Sequence, residues 1–430
     1  MNRHGLPTKW ALYNLEASPY FQDVLEASEP SPQPLRSLFV GRQEEIEELE
    51  DRIVGAGLHG TRQGVAGLPG VGKTTLVQEL KSKLLDRGYF STDSWVPLYP
   101  EDTSEQVFGR VLVQVYDTIL ANRPHMAAHP AMRDAQLLVR VSRIIDRGGT
   151  VSVAGFGIGG QSIETPSVPT DLLIDGPRVM RDLMHAIGQS DARGIIVHVN
   201  NLETLTETES RRAGEILRGL RDPLMMHPRL HLVFVGTQDA LSRTLMSFPQ
   251  VRNVVSITSL AALDLATARE LLRARYEHLQ ANPDHPVVAP ADEEAVAVLH
   301  ELYGGDLRGL LKALEDGVRP LLGLIGVNEA GAAAPLPLDA ILPVLKERYN
   351  RDLDGLPEQT RVEQLRNWGK NSPDAPMTQQ DLVELWGVAQ PTVSRALQYL
   401  GANAYVVALP REGREEGRYV LSGTARLIFS

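Results

Sequence analysis

The sequence predicts an α/β protein: a three-layer core with a parallel sheet, then a helical subdomain, then a C-terminal helix-turn-helix module. Three observations lead there. Short β-rich runs alternate with amphipathic helical stretches from Leu38 to Ile257, the pattern of a parallel sheet covered by helices. A glycine-rich segment with the spacing GxxxxGK[ST] lies between the first such run and a helix. After Ile257 the strand-like runs stop until Ala404, and helical spacing takes over.

The totals set the class. With 430 residues, and about 100–200 residues per ordinary domain, several domains are expected. The absence of cysteine excludes disulfides, thiolate zinc sites and cysteine nucleophiles, and the 11 histidines include no HExxH spacing. No stretch reaches the roughly 18 apolar residues of a membrane span, and the start of the chain has no apolar signal core, so a cytoplasmic protein without membrane contact is expected. The net charge of −11 argues against a generally basic surface, so any contact with nucleic acid must be local.

Residues 1–36 read as an N-terminal arm carrying Trp10, Tyr13, Tyr20 and Phe21, ending in a proline-rich linker at Ser28–Pro34. The core is expected over 37–257. Its runs are Gln63–Ala66, Trp95–Leu98, Gly194–Val199, Leu230–Val235 and Val251–Ile257, with helices from Lys73 (Leu76, Leu80 and Leu84 inward) and over Val107–Leu120. Gly155–Gly160 satisfies GxGxxG, but no helix opens after it, which excludes a dinucleotide site; 150–161 reads as an inserted glycine-rich hairpin. Residues 258–330 form the helical subdomain, with helices over Ala266–Leu279, Asp292–Tyr303 and Leu307–Ala313. A break at Gly331–Pro337 leads into the last domain, 339–430.

The phosphate-binding candidate is Gly67-Leu-Pro-Gly-Val-Gly-Lys-Thr74. Its glycines Gly67, Gly70 and Gly72 allow the backbone N–H groups to turn inward into a concave, positively polarised nest. Gly67, Pro69, Gly70, Val71, Gly72, Lys73, Thr74 and Thr75 are therefore the candidate ATP-binding residues. Lys73 would meet the β- and γ-phosphates, and the Thr74 hydroxyl would hold Mg²⁺.

At the other end, Thr378–Gly387 reads as a capped helix with Leu382 and Leu385 inward, and Val388-Ala-Gln-Pro391 opens a second one. On that second helix Val393, Leu397 and Leu400 form the buried side, leaving Thr392, Ser394, Arg395 and Gln398 outward as candidate contacts to double-stranded DNA. Residues 361–430 carry eight basic against seven acidic side chains, a local net of +1.

Phe39-Val-Gly-Arg42 with Glu44 and Glu45, ahead of the phosphate loop, resembles the opening of AAA+ ATPases of the origin-recognition-complex initiator type and of the related STAND signalling ATPases. His231-Leu-Val-Phe-Val-Gly-Thr237 resembles their sensor-1 strand, and Gly304-Gly-Asp-Leu-Arg308 their sensor-2 segment. The resemblance implies an AAA+ core, a helical lid and a C-terminal winged helix whose wing tip is Pro410–Gly417. It places Thr237 near the γ-phosphate and Arg308 over the nucleotide, and it points to Arg243 or Arg252 as an arginine finger in a homo-oligomer or with a partner protein. One segment departs: where many relatives have Asp-Glu, this chain has Asn200-Asn-Leu-Glu203. An amide cannot act as a general base, so Asn200 is a candidate only for the metal's surroundings and Glu203 becomes the candidate catalytic base beside Lys73, Thr237 and Arg308. Three readings stand at this point: an ATP-hydrolysing, initiator-like DNA-binding protein; a STAND-type signalling or defence switch whose winged helix makes protein contacts; and a non-hydrolysing scaffold for another protein.

Overall fold

The computed structural model of the protein describes residues 9–22, 35–146, 172–200, 202, 205, 207–324, 333–409 and 417–430. The expected hairpin at 150–161 lies outside them, as does most of the wing tip. The chain divides into two compact units: Arg42–Gly67 with Lys73–Leu260, and Met1–Gly41 with Leu68–Gly72 and Ala261–Ser430.

The first unit is the α/β core. Strands β1 (Arg62–Gly67), β2 (Tyr89–Ser91), β3 (Val96–Pro97), β4 (Gly194–Asn200), β5 (Leu230–Gly236) and β6 (Ser256–Leu260) form one sheet in the order β2–β4–β5–β1–β6. Strand β3 pairs further along the same edge of β4 as β2, and every pairing is parallel. Strands β1, β4 and β5 are buried along almost their whole length, as strands covered on both faces must be. Helices Lys73–Asp86, Ser104–Asn122 and Leu172–Gln189 pack on the sheet, and Pro130–Asp146 packs on the latter two. The helix Ser104–Asn122 starts at a reciprocal cap, in which Thr103 accepts from Gln106 N–H while the Gln106 side chain accepts from Thr103 N–H. Phe108, Leu112, Met132, Leu183, Ile195, Val197 and Phe234 belong to the core that results.

The expected strand at Val251–Ile257 is corrected. Pro249 opens a short helix, Pro249–Arg252, because its fixed φ suits the first helical position, and the strand begins only at Ser256.

The second unit is mainly helical. Helices Leu265–His278, Glu293–Tyr303 and Leu307–Val318 each begin at an aspartate whose side chain accepts from the first turn: Asp264, Asp292 and Asp306. The N-terminal segment belongs to this core. Trp10, Tyr13, Leu15 and Tyr20 are buried among Leu272, Leu299, Leu314 and Ile341. The Arg275 guanidinium donates to the carbonyls of Pro19 and Phe21, and Tyr13 donates to Ala334 O. Helix Leu338–Asp354 adds Ile341, Leu345 and Tyr349 to the same cluster. A further cluster centres on Trp368, Leu382, Val393, Leu397 and Leu400. It lies under helices Gln359–Asn371, Gln379–Trp386 and Gln390–Ala402 and beside an antiparallel sheet of β7 (Met377–Thr378), β8 (Val406–Ala408) and β9 (Arg418–Leu421), ordered β7–β9–β8.

Burial of histidine in the α/β core has a consequence for acid stability. His231, fully buried on β5 with Nδ1 3.0 Å from Thr61 Oγ1, has its pKa pushed down to about 4, first by burial and then by the Arg62 charge. His227 is shifted the same way, mainly by burial. An unfolded histidine titrates near 6.5, so between about 6.5 and 4 only the unfolded chain takes up the proton, and stability is lost as pH falls through that window. Each such histidine steepens the loss by up to about 1.4 kcal/mol per pH unit. Urea midpoints should therefore fall clearly between pH 7.5 and 5.5, and the fall should be shallower in His231→Gln.

Candidate nucleotide site

Strand β1 delivers the chain to the phosphate loop. Gly70 and Gly72 have φ of +80° and +94°, in the left-handed region that side chains rarely tolerate, whereas Gly67 is not in that region. These two turns are what a nest of inward N–H groups requires. A Cβ at Gly72 would meet nothing within 4 Å, so the demand there is purely conformational. At Gly70 it is also steric: a Cβ would lie 1.7 Å from Asp306 Oδ1 and 3.5 Å from the Arg308 Cβ.

Lys73 opens the helix Lys73–Asp86 and is 6% exposed, with Nζ donating to Gly67 O at 3.0 Å. Its ammonium is thus held back across the loop that it belongs to. Thr74 and Thr75 follow in the first helical turn, half-buried, and Pro69 is exposed while Val71 is buried. A loop with left-handed glycines, followed by a lysine whose ammonium rests on Gly67 O at a helix start, is of the kind that takes the phosphates of a nucleotide.

Sheet register decides which sequence candidates share an edge. Ala66 on β1 pairs with Gly236 on β5, and Phe234 on β5 with Val199 on β4. Gly67 and Asn200 are the last residues of β1 and β4, and Thr237 follows the end of β5, so the three candidates stand at the same end of the sheet, with β5 between the other two strands. Thr237 caps the short helix Gln238–Leu241, its Oγ1 accepting from Ala240 N–H at 3.2 Å. Asn200 is half-buried, and its backbone oxygen accepts from Leu98 N–H. Asn201 and Glu203 lie outside the described residues. Among the described residues no cluster of three or more His, Asp or Glu side chains could hold a metal ion by itself.

Arg243 donates to Asp239 Oδ2 at 3.4 Å and Arg252 is exposed. In the helical unit, Gly304 and Gly305 both have positive φ and turn the chain out of helix Glu293–Tyr303, and Asp306 then caps the helix that carries the exposed Arg308. The contact of Asp306 with the loop at Gly70 was not anticipated from sequence. Its only local feature is an aspartate immediately before a helix, where the side chain accepts from the first turn, and its partner at Gly70 is more than two hundred residues away.

On helix Gln390–Ala402, Ser394, Arg395 and Gln398 are exposed and Thr392 is half-buried, opposite the buried Val393, Leu397 and Leu400. Arg395 Nε donates to Pro391 O at 3.3 Å. Thr378 caps the preceding helix and Gly387 ends it at φ +63°, which leaves a short turn between the two helices. No described helix is long and apolar enough to cross a membrane.

Residues 38–235 match the family model of the AAA ATPase domain. No curated protein gives a significant match. Among solved structures the chain is similar to the ORC1 protein of Aeropyrum pernix in complex with DNA, with 14% identity, 92% of this chain and 94% of that chain covered and a TM-score of 0.44. It is similar to Drosophila ORC bound to DNA at 14% identity, covering 100% of this chain and 94% of that one, with a TM-score of 0.42. A third is Cdc6p from Pyrobaculum aerophilum, at 13% identity, 95% and 97% coverage and a TM-score of 0.41.

Proposed function

We propose that the AAA+ P-loop ATPase domain this chain carries at residues 38–235 binds ATP with Mg²⁺, and that its nucleotide state controls DNA binding or assembly in an initiator-like protein. The observation that carries the nucleotide part is the loop itself: left-handed glycines at 70 and 72, with the Lys73 ammonium folded over Gly67. Backbone N–H groups accommodate phosphate oxygens at low reorganisation cost because the loop is already turned. Lys73 contributes a point charge to the terminal phosphates, and the Thr74 hydroxyl a ligand to Mg²⁺. Bound ATP supplies the phosphoanhydride to be cleaved. Thr237, leaving the sheet beside Gly67, orients the γ-phosphate region, Arg308 neutralises charge that develops on it, and Glu203 receives the proton of the attacking water. Titration of the wild type with fluorescent ATP and ADP, with and without Mg²⁺, tests this directly, and a chain that binds neither nucleotide overturns it.

The DNA part rests on the exposed Ser394, Arg395 and Gln398, which share a face of a helix in a winged-helix-like module. A polar face at a helix start suits base edges in the major groove. Replacing both Arg395 and Gln398 with alanine should weaken DNA retention by roughly 1–3 kcal/mol for each base edge that either side chain reads, while ATP affinity stays at the wild-type value. A wild type without salt-sensitive DNA binding in any nucleotide state would transfer this helix to protein contacts, as in a STAND-type switch. The uncharged Asn200-Asn201 pair is the feature that favours that second reading.

A further inference from the structure

We propose that Asp306 is a positioning residue of the phosphate loop, holding the loop's apex at Gly70 against the first turn of helix Leu307–Val318; this rests on the nucleotide reading above. Both segments belong to the same compact unit. The Asp306 carboxylate is fixed from its own side, with Oδ1 accepting from Gly309 N–H at 3.0 Å. On the other side it abuts the backbone of Gly70 so closely that a Cβ there would fall 1.7 Å from Oδ1 and 2.7 Å from Cγ. Gly70 has a φ of +80°, and the Asp306 carboxylate lies against that residue. Glycine at 70 thus meets two requirements together, a left-handed turn and room for the Asp306 carboxylate. The same first turn carries Arg308, whose Cβ would be 3.5 Å from a Cβ at 70, so the contact also ties the position of Arg308 to the loop.

Capping and loop support can be separated. Serine is as good a helix cap as aspartate but too short to keep the carboxylate's approach to Gly70, whereas asparagine keeps the shape of both. The experiment measures ATP affinity and melting temperature for wild type, Asp306→Asn, Asp306→Ser, Gly70→Ala and Gly70→Ala/Asp306→Ser. Asp306→Asn should bind within about threefold of wild type, and Asp306→Ser should melt like wild type yet bind roughly tenfold more weakly, the scale of a single polar interaction. Gly70→Ala should weaken binding further, and the double variant should bind better than the product of the two single effects, because the shorter side chain relieves the clash. Wild-type affinity in Asp306→Ser, or effects that simply multiply in the double variant, would overturn the assignment with the nucleotide reading intact. A wild type that binds no ATP overturns both.

Discussion

Replacing Lys73 with alanine is expected to weaken ATP binding by roughly 10- to 100-fold, the range for removing a charge-assisted hydrogen bond to phosphate. The side chain is buried with its ammonium on Gly67 O, so the substitution removes both a positive charge and a bond to the first residue of the loop. Lys73→Arg separates the two effects. It keeps the charge but brings a larger planar group into a place where the ammonium is 3.0 Å from a carbonyl, so it should restore only part of the affinity. Because the aliphatic stem packs at the start of a helix whose Leu76, Val77 and Leu80 are buried, melting temperature should be followed alongside. Calorimetric titration with ATP checks the result. Equal affinity in wild type and Lys73→Ala at unchanged stability would remove the phosphate loop from nucleotide binding.

The second large effect concerns turnover. Glu203→Gln should lower steady-state phosphate release by 100-fold or more with ATP affinity preserved, on the order of the contribution of a general base, since the amide keeps the shape but cannot take the proton. Asn201→Gln should change the rate little. Asn201→Glu restores a carboxylate where many related ATPases have one, and should raise turnover if the surrounding edge, with Thr237 beside the loop, is otherwise complete. Rates for the three variants, with and without DNA, distinguish an enzyme from a switch. A wild type that already hydrolyses slowly, with Glu203→Gln unchanged in rate and in nucleotide-dependent assembly, favours the switch; equal and substantial rates in both would take the role away from Glu203.

Local chemistry made much of this protein legible in the sequence. The GxxxxGK[ST] spacing located a loop whose glycines at 70 and 72 do adopt left-handed angles, because no other residue takes that conformation at so low a cost. Alternating apolar runs located β1, β3, β4 and β5, and Thr378, Gly387 and Pro391 marked the ends of the two C-terminal helices, since caps and breakers act within a few residues. Tertiary structure decided what depends on distant partners. The order β2–β4–β5–β1–β6 puts β5 next to β1, and so brings Thr237 out beside Gly67; that neighbourhood depends on the pairing of β1 with β5, which joins residues more than a hundred apart. Strand β2 is only three residues long, too short for a period, and depends on β4 for its hydrogen bonds. The aromatics of the N-terminal segment read as an arm because nothing near them in sequence could bury them; Leu272, Leu299 and Leu314 do so in the fold. Asp306 caps its own helix in the fold, and only the close approach of Gly70 brings its carboxylate against the phosphate loop, because contact between residues so far apart is set by packing rather than by propensity.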